Sequence, residues 1–173
     1  MEAAASALSR AGAKVSEVAL TPEFNDLAES FRIISAIEAA RALAYEAREH
    51  ADRLNFWVRD SLVAARQFDP ASYEKAQSHA IKCPRALGEI FRQVDVLLTP
   101  SVPGEAPADL KSISNSVFNR TWTLMHAPCV TLPTATGPHG MPVGIQLVGP
   151  AGGDVKTLSA ATAIAGLLCE PAA

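Results

Sequence analysis

Residues 126–150 read HAPCVTLPTATGPHGMPVGIQLVGP, and this stretch decides the fold class. Two short apolar runs, CVTLP and VGIQLVG, have the length and β-branched content of strands, and TATGPHG between them carries turn residues. The prolines are expected at strand ends, where no ladder donor is needed. Alternation along the second run puts Val143, Ile145 and Leu147 on one face and Gly144, Gln146 and Val148 on the other. A buried Gln146 needs partners for its amide, so it is expected to fix local backbone or loop geometry.

Upstream, VDVLL at 94–98 is a compact strand candidate, followed by the proline-rich TPSVPGEAP, and a helix is predicted around Val117 to Met125. A strand near 94, that helix and a strand near 129 suit a right-handed parallel crossover, with the next strand returning antiparallel. Downstream, Asp154 fits the N-cap of VKTLSAATAIAGLL. At the N-terminus MEAAASALSRAG reads as a helix stopped by Gly12, and KVSEVAL after it as a strand. Thr21 and Pro22 then fit the cap and first turn of a helix whose Phe24, Leu27, Phe31, Ile34 and Ile37 form a core-facing stripe. Helical pattern continues through 39–93 with breaks at Asp69–Pro70 and Pro84. The predicted fold class is α/β, a mixed β-sheet flanked by helices, in a single domain over 1–173.

A chain of 173 residues can bury a sizeable core, roughly 70% of the surface its unfolded form exposes. Its 49% hydrophobic and 19% charged content belongs to a globular protein. The net charge of -3 comes from interspersed acids and bases, which leaves no basic footprint for nucleic acid. No apolar run approaches the roughly 20 residues of a membrane span, and a cytoplasmic protein is expected. Cys83, Cys129 and Cys169 are odd in number and widely spaced, which suits neither a disulfide framework nor a zinc site. No cofactor and no metal are predicted.

VDVLLTPSVPGEAP, FNRTWTLMHAPCVTLP and GMPVGIQLVGPAGGD, in that order, resemble the C-terminal part of the amidase signature family. More weakly, AAASALSRAGAKVSEVAL resembles the helix and strand that follow the family's catalytic half. The resemblance implies amide hydrolysis by a serine nucleophile, activated through a second serine and a lysine. In the family these lie in a glycine- and serine-rich N-terminal half. None of Lys14, Lys75, Lys82, Lys111 and Lys156 precedes such a segment, and KSISNS at 111–116 lacks its glycines, so no catalytic residue is carried over. His126 stands where the family usually has glycine, and Pro84 falls in a helix usually free of proline. The expectation is therefore the C-terminal portion of an amidase-type hydrolase with a partial amidase-signature fold. On this reading the chain is a fragment that lacks the Ser-Ser-Lys residues and is inactive alone. Its partners would be a small-molecule amide substrate, and a homodimer mate or a complementary amidase half. The alternative is a noncatalytic amidase-like module binding a small amide or a protein.

Asn119, Trp122 and Thr123, beside Phe118 on the helix leading into PCVTLP, are the predicted substrate-binding residues, since open sheets place ligands near strand ends. Cys129 with His126 is weighed as a nucleophile and base against a buried strand thiol beside a helix end, and the structural reading is preferred. Asp95, entering a strand, is expected to pair locally. The glycines of GPAGGD lack the lysine and spacing of a phosphate loop and read as a helix-entry turn.

Overall fold

A computed structural model describes residues 1–109 and 115–168 of the chain. Cys169 and the Lys111–Ser114 part of KSISNS lie outside the described residues. The chain divides into two compact units, Met1–Leu20 with Pro84–Ala173, and Thr21–Cys83.

The first unit carries the sheet. Its strands are β1 (Leu97–Pro100), β2 (Cys129–Thr136) and β3 (Pro142–Val148), in the order β1-β3-β2. Both neighbouring pairs are antiparallel. The predicted mixed sheet with β1 beside β2 is thereby corrected. A short turn keeps β2 and β3 together as a hairpin, and β1 takes the remaining edge of β3. β1 and β2 do run parallel, but with β3 between them.

Register sets the two faces. Leu98, Leu147 and Val130 lie opposite one another, as do Pro100, Ile145 and Leu132, and these rows form an apolar face. Thr99, Gln146 and Thr131 form a polar row on the other. Gln146 is buried and its Nε2 donates to Thr99 Oγ1 at 3.2 Å, so it ties β3 to β1 as its sequence context demanded. Pro133 departs from expectation: it sits inside β2, where the register shifts between Pro133 and Ala135 and the missing donor costs no ladder bond.

Helix α1 (Glu2–Arg10) ends before Gly12, whose φ of +94° suits a helix stop. KVSEVAL is extended and exposed, with Val15 at 44% and Leu20 at 45%, and pairs with no strand among the described residues. β-Branched content sets the backbone, but a strand also needs a partner edge. The last helix of the unit, Asp154–Leu168, packs on β2 and β3 and against α1. Asp154 is its first residue rather than its cap, and its carboxylate lies in the first turn. Gly149 is required here, because a Cβ at 149 would overlap the wholly buried Thr157 hydroxyl.

In the second unit α2 (Leu27–Ala42) follows a 3₁₀ turn at Pro22–Phe24. The stripe predicted from spacing is buried at Phe24, Leu27 and Ile34, with Ser30 completing it. Short helices α3 (Ala44–Glu49), α4 (Phe56–Ala64) and α5 (Pro70–Ala80) succeed it, and α2 packs on α4 and α5. Asn55 caps α4 through Trp57 N–H at 2.9 Å, and Asp69 caps α5 through Ser72 N–H at 2.7 Å. Pro84 falls in the first turn of α6 (Cys83–Ile90), where its missing N–H costs no helical bond. The helix predicted near 117 is α7 (Val117–Leu124), which makes the Asp154–Leu168 helix α8. Among the described residues no helix is long and apolar enough to cross a membrane.

Candidate functional site

A cleft of about 500 Å³ opens over the apolar face of the sheet, a size suited to a small ligand. Pro100, Val143 and Ile145 form its floor, Phe118 of α7 one wall, and Val102 to Gly104 another. Thr134 and Ala135 give it a lip from β2.

Phe118 and Trp122 are four residues apart, so they share a face of α7. Phe118 borders the cleft and Trp122, one turn on, is 5% exposed. Its indole Nε1 is buried with no hydrogen-bond partner among the described residues. Buried donors are normally satisfied, so this one calls for an explanation. Asn119 is half-buried and Thr123 exposed on the adjoining stripe of the helix. None of the three predicted substrate-binding residues lines the cleft itself.

The chain leaves α7 by a reversal that places β2. His126 adopts φ +53°, its N–H donates to the Thr123 carbonyl at 3.1 Å, and the Ala127 N–H to the Trp122 carbonyl at 3.0 Å. These are the paired bonds of a left-handed helix stop, a position that glycine fills without strain. Histidine here bears a strain that glycine would avoid.

One wall of the cleft is pinned by a residue that sequence reasoning missed. The Glu105 carboxylate accepts from the His139 N–H at 3.1 Å and the Met141 N–H at 3.2 Å, and also binds His139 Nδ1. The Ala106 N–H adds a bond to the Pro142 carbonyl at 2.9 Å. Together they fasten the loop after β1 to the β2–β3 turn. The bond to His139, with the backbone donors, holds the Glu105 carboxyl below its usual range. Gly137 allows the approach, since a Cβ there would run into the carboxylate. The signal in sequence was only a glutamate in the glycine- and proline-rich stretch PGEAP and a histidine in a turn 34 residues on.

Three other candidates resolve into structure. Asp95 pairs with Lys156 at 2.8 Å on an exposed surface, a partner distant in sequence rather than the local one expected, and that bond lowers its carboxyl pKa. Cys129 is exposed, not the buried strand thiol expected, yet it donates to the Ala127 carbonyl at 3.5 Å and desolvation pushes its thiol pKa up, which disfavours a thiolate. In the second unit Ser30 Oγ lies 2.9 Å from His79 Nδ1, and His79 Nε2 lies 2.9 Å from the Glu23 carbonyl. The carbonyl only accepts, so the neutral ring donates from Nε2 and takes the Ser30 hydrogen at Nδ1. The polarity would suit a nucleophile and base, but Ser30 is 6% exposed and lines neither cleft, so the pair clamps α2 to α5. The Cys83 thiol donates to the same Glu23 carbonyl at 3.0 Å, and burial pushes its pKa up. No lysine ammonium hydrogen-bonds a serine among the described residues, which hold no metal-binding cluster either.

A sequence model of the Amidase family matches residues 1–158. The chain is 30% identical over 183 aligned residues to 2-amino-5-chloromuconic acid deaminase of Comamonas testosteroni, covering 97% of this chain and 39% of that protein. It superposes with a TM-score of 0.79 on a crystal structure of an amidase at 28% identity, covering 92% of this chain and 39% of that one. On 6-aminohexanoate cyclic dimer hydrolase complexed with substrate the TM-score is 0.75 at 19% identity, covering 98% and 40%, a likeness of fold. The chain thus spans about two fifths of the length of the relatives it matches.

These matches correct the reading of the chain as a C-terminal portion with a partial amidase-signature fold. The family model runs from residue 1 to 158, and an α/β amidase fold accounts for 92% or more of the chain. Helices carry their family likeness in periodicity, which short motifs do not display. The description as a fragment rested on the partial reading and is corrected with it, since the alignment to amidases runs along nearly the whole chain.

Proposed function

The chain belongs to the amidase family, and from that premise we propose that it serves the hydrolysis of carbon–nitrogen amide bonds, with the α7 end and the adjoining cleft binding the amide. In that reaction water adds to the amide carbonyl, the C–N bond breaks, and a carboxylate and an amine leave. The observation that carries the binding role is the buried, unpartnered Trp122 Nε1 one helical turn from the cleft wall. An amide carbonyl is an acceptor suited to it. Asn119 and Thr123 lie on the adjoining stripe of α7, outside the lining of the cleft, where Phe118, Val143 and Ile145 take the apolar substituent.

Beyond the small amide, a second copy of this chain is the partner proposed, because β1 is an edge of the sheet among the described residues. Net charge of -3 without a basic face speaks against nucleic acid. The free thiols of Cys83 and Cys129 fit a reducing, cytoplasmic setting.

Trp122→Phe tests the binding role, since it keeps the ring and removes the N–H. Affinity for an apolar primary amide such as hexanamide, measured by calorimetry, should fall about tenfold. Unchanged affinity together with higher stability would mean that the donor is merely an orphan, and the reading would be lost.

A further inference from the structure

The second unit holds a groove of about 510 Å³ that the chemistry above leaves unused. It exists because small side chains stand where larger ones would fill the space: Ala40, Ala44 and Ala47 along α2 and α3, and Ala65 beyond α4. Leu62 and Phe68 complete an apolar floor.

Two arginines and no carboxylate line this groove. Arg41 is held in place, its guanidinium 4.7 Å from the centre of the Tyr73 ring. That ring is itself fixed, for the Tyr73 hydroxyl donates to Glu38 at 2.9 Å and accepts from Gln77 Nε2 at 2.8 Å. Arg66 has no carboxylate partner among the described residues. A guanidinium does not shed its proton in proteins, so the groove keeps an uncompensated positive charge at any working pH.

We propose that this groove binds a small carboxylate carrying an apolar acyl or aryl body. The carboxylate sits on Arg66 and Arg41, and the hydrocarbon lies along Ala40, Ala44 and Phe68. Each half of the site selects one half of the ligand. The planar fork of arginine matches a carboxylate edge, which an alcohol or an amine does not offer. The alanine floor gains from burying hydrocarbon, which inorganic phosphate lacks. One charge suffices, because Arg41 already shares its charge with the Tyr73 ring and Glu38 stands at the Tyr73 hydroxyl.

The test uses the full chain and octanoate, followed by calorimetry and by backbone amide shifts. Octanoate should bind saturably, with shifts gathered at residues 37–47 and 62–73. Octanol and octylamine should bind about tenfold more weakly or not at all, and Arg66→Gln should cost octanoate about tenfold. Ala44→Leu, which fills the floor, should abolish binding. Arg66 is exposed, so its variant folds and decides the matter even if Ala44→Leu does not. The proposal is overturned if octanol matches octanoate, if Arg66→Gln changes nothing, if phosphate competes as well as octanoate, or if the shifts fall at 100–104 and 143–145.

Discussion

The two units fix their structures by different means. The first rests on backbone: three antiparallel strands in register, a helix seated over Gly149, and a left-handed turn at His126 that sends the chain into β2. The second has no strand among its described residues and joins short helices through side chains, the Ser30–His79–Glu23 clamp and capping residues Asn55 and Asp69. A backbone-built unit leaves punctuated motifs in its sequence. A side-chain-built unit leaves mainly periodicity, and its alanine-lined groove is written as the absence of bulk.

If that contrast is real, the first unit should be most sensitive at its aromatic anchor. Trp122→Ala should cost ~3–5 kcal/mol, because truncating a buried aromatic opens a cavity. An unchanged denaturant midpoint would show that the ring is not part of the core. Gly149→Ala should cost about 1–3 kcal/mol, since the added methyl meets Thr157, a β-branched residue buried in α8. A neutral result would mean that α8 can lift from β3, and the close-approach account would be wrong.

In the second unit, Ser30→Ala should cost about 1–2 kcal/mol by leaving His79 Nδ1 without its donor. Loss of the clamp without loss of stability would shift the burden to the apolar stripe of α2. His126→Gly should instead stabilise by about 0.5–1 kcal/mol, relief of the left-handed strain being partly offset by glycine's freedom in the unfolded chain. Thermal melts of the pair, one falling and one rising, would separate the two kinds of construction.

The smallest expected effect is a pH dependence at Glu105. Its folded pKa is depressed, so the carboxylate's contribution is present above the ordinary carboxylate range and is lost as pH falls through the folded value. Amide exchange at His139 and Met141 should therefore quicken on acidification, and in Glu105→Gln it should be fast at every pH. Equal protection in both proteins would sink the carboxylate's part in holding this loop.

Much of the first unit was legible in its sequence. The two runs within 129–148 became β2 and β3, and the helices at 117–124 and 154–168 came close to where they were read, with Asp154 inside the second instead of capping it. What failed were statements that needed a partner. KVSEVAL has strand composition, yet pairing is a property of two segments, and VDVLL reaches the ladder only from Leu97. The strand order was hidden for the same reason, since nothing in β1 says that β3 and not β2 will lie beside it. Of the site, Phe118 was named as a neighbour and lines the cleft, whereas Asn119, Trp122 and Thr123 do not line it. Glu105 and the Arg41–Arg66 groove went unread, because each depends on residues brought together across some 25 to 34 positions by folding.

The irregularity at Pro133 acts on the cleft as a frameshift acts on a message. Strict alternation would class Ala135 with Thr131 and Pro133, but the shifted register pairs it with Val143 and so transfers it to the face of Leu132 and Ile145. Two consecutive β2 residues, Thr134 and Ala135, reach the cleft at this shift. Any scheme that diversifies this lip by choosing every second position would miss half of it. Removing Thr134 would take out the extra residue, so that Ala135 follows Pro133 directly, still opposite Val143 and on the face of Leu132, with every upstream residue in register.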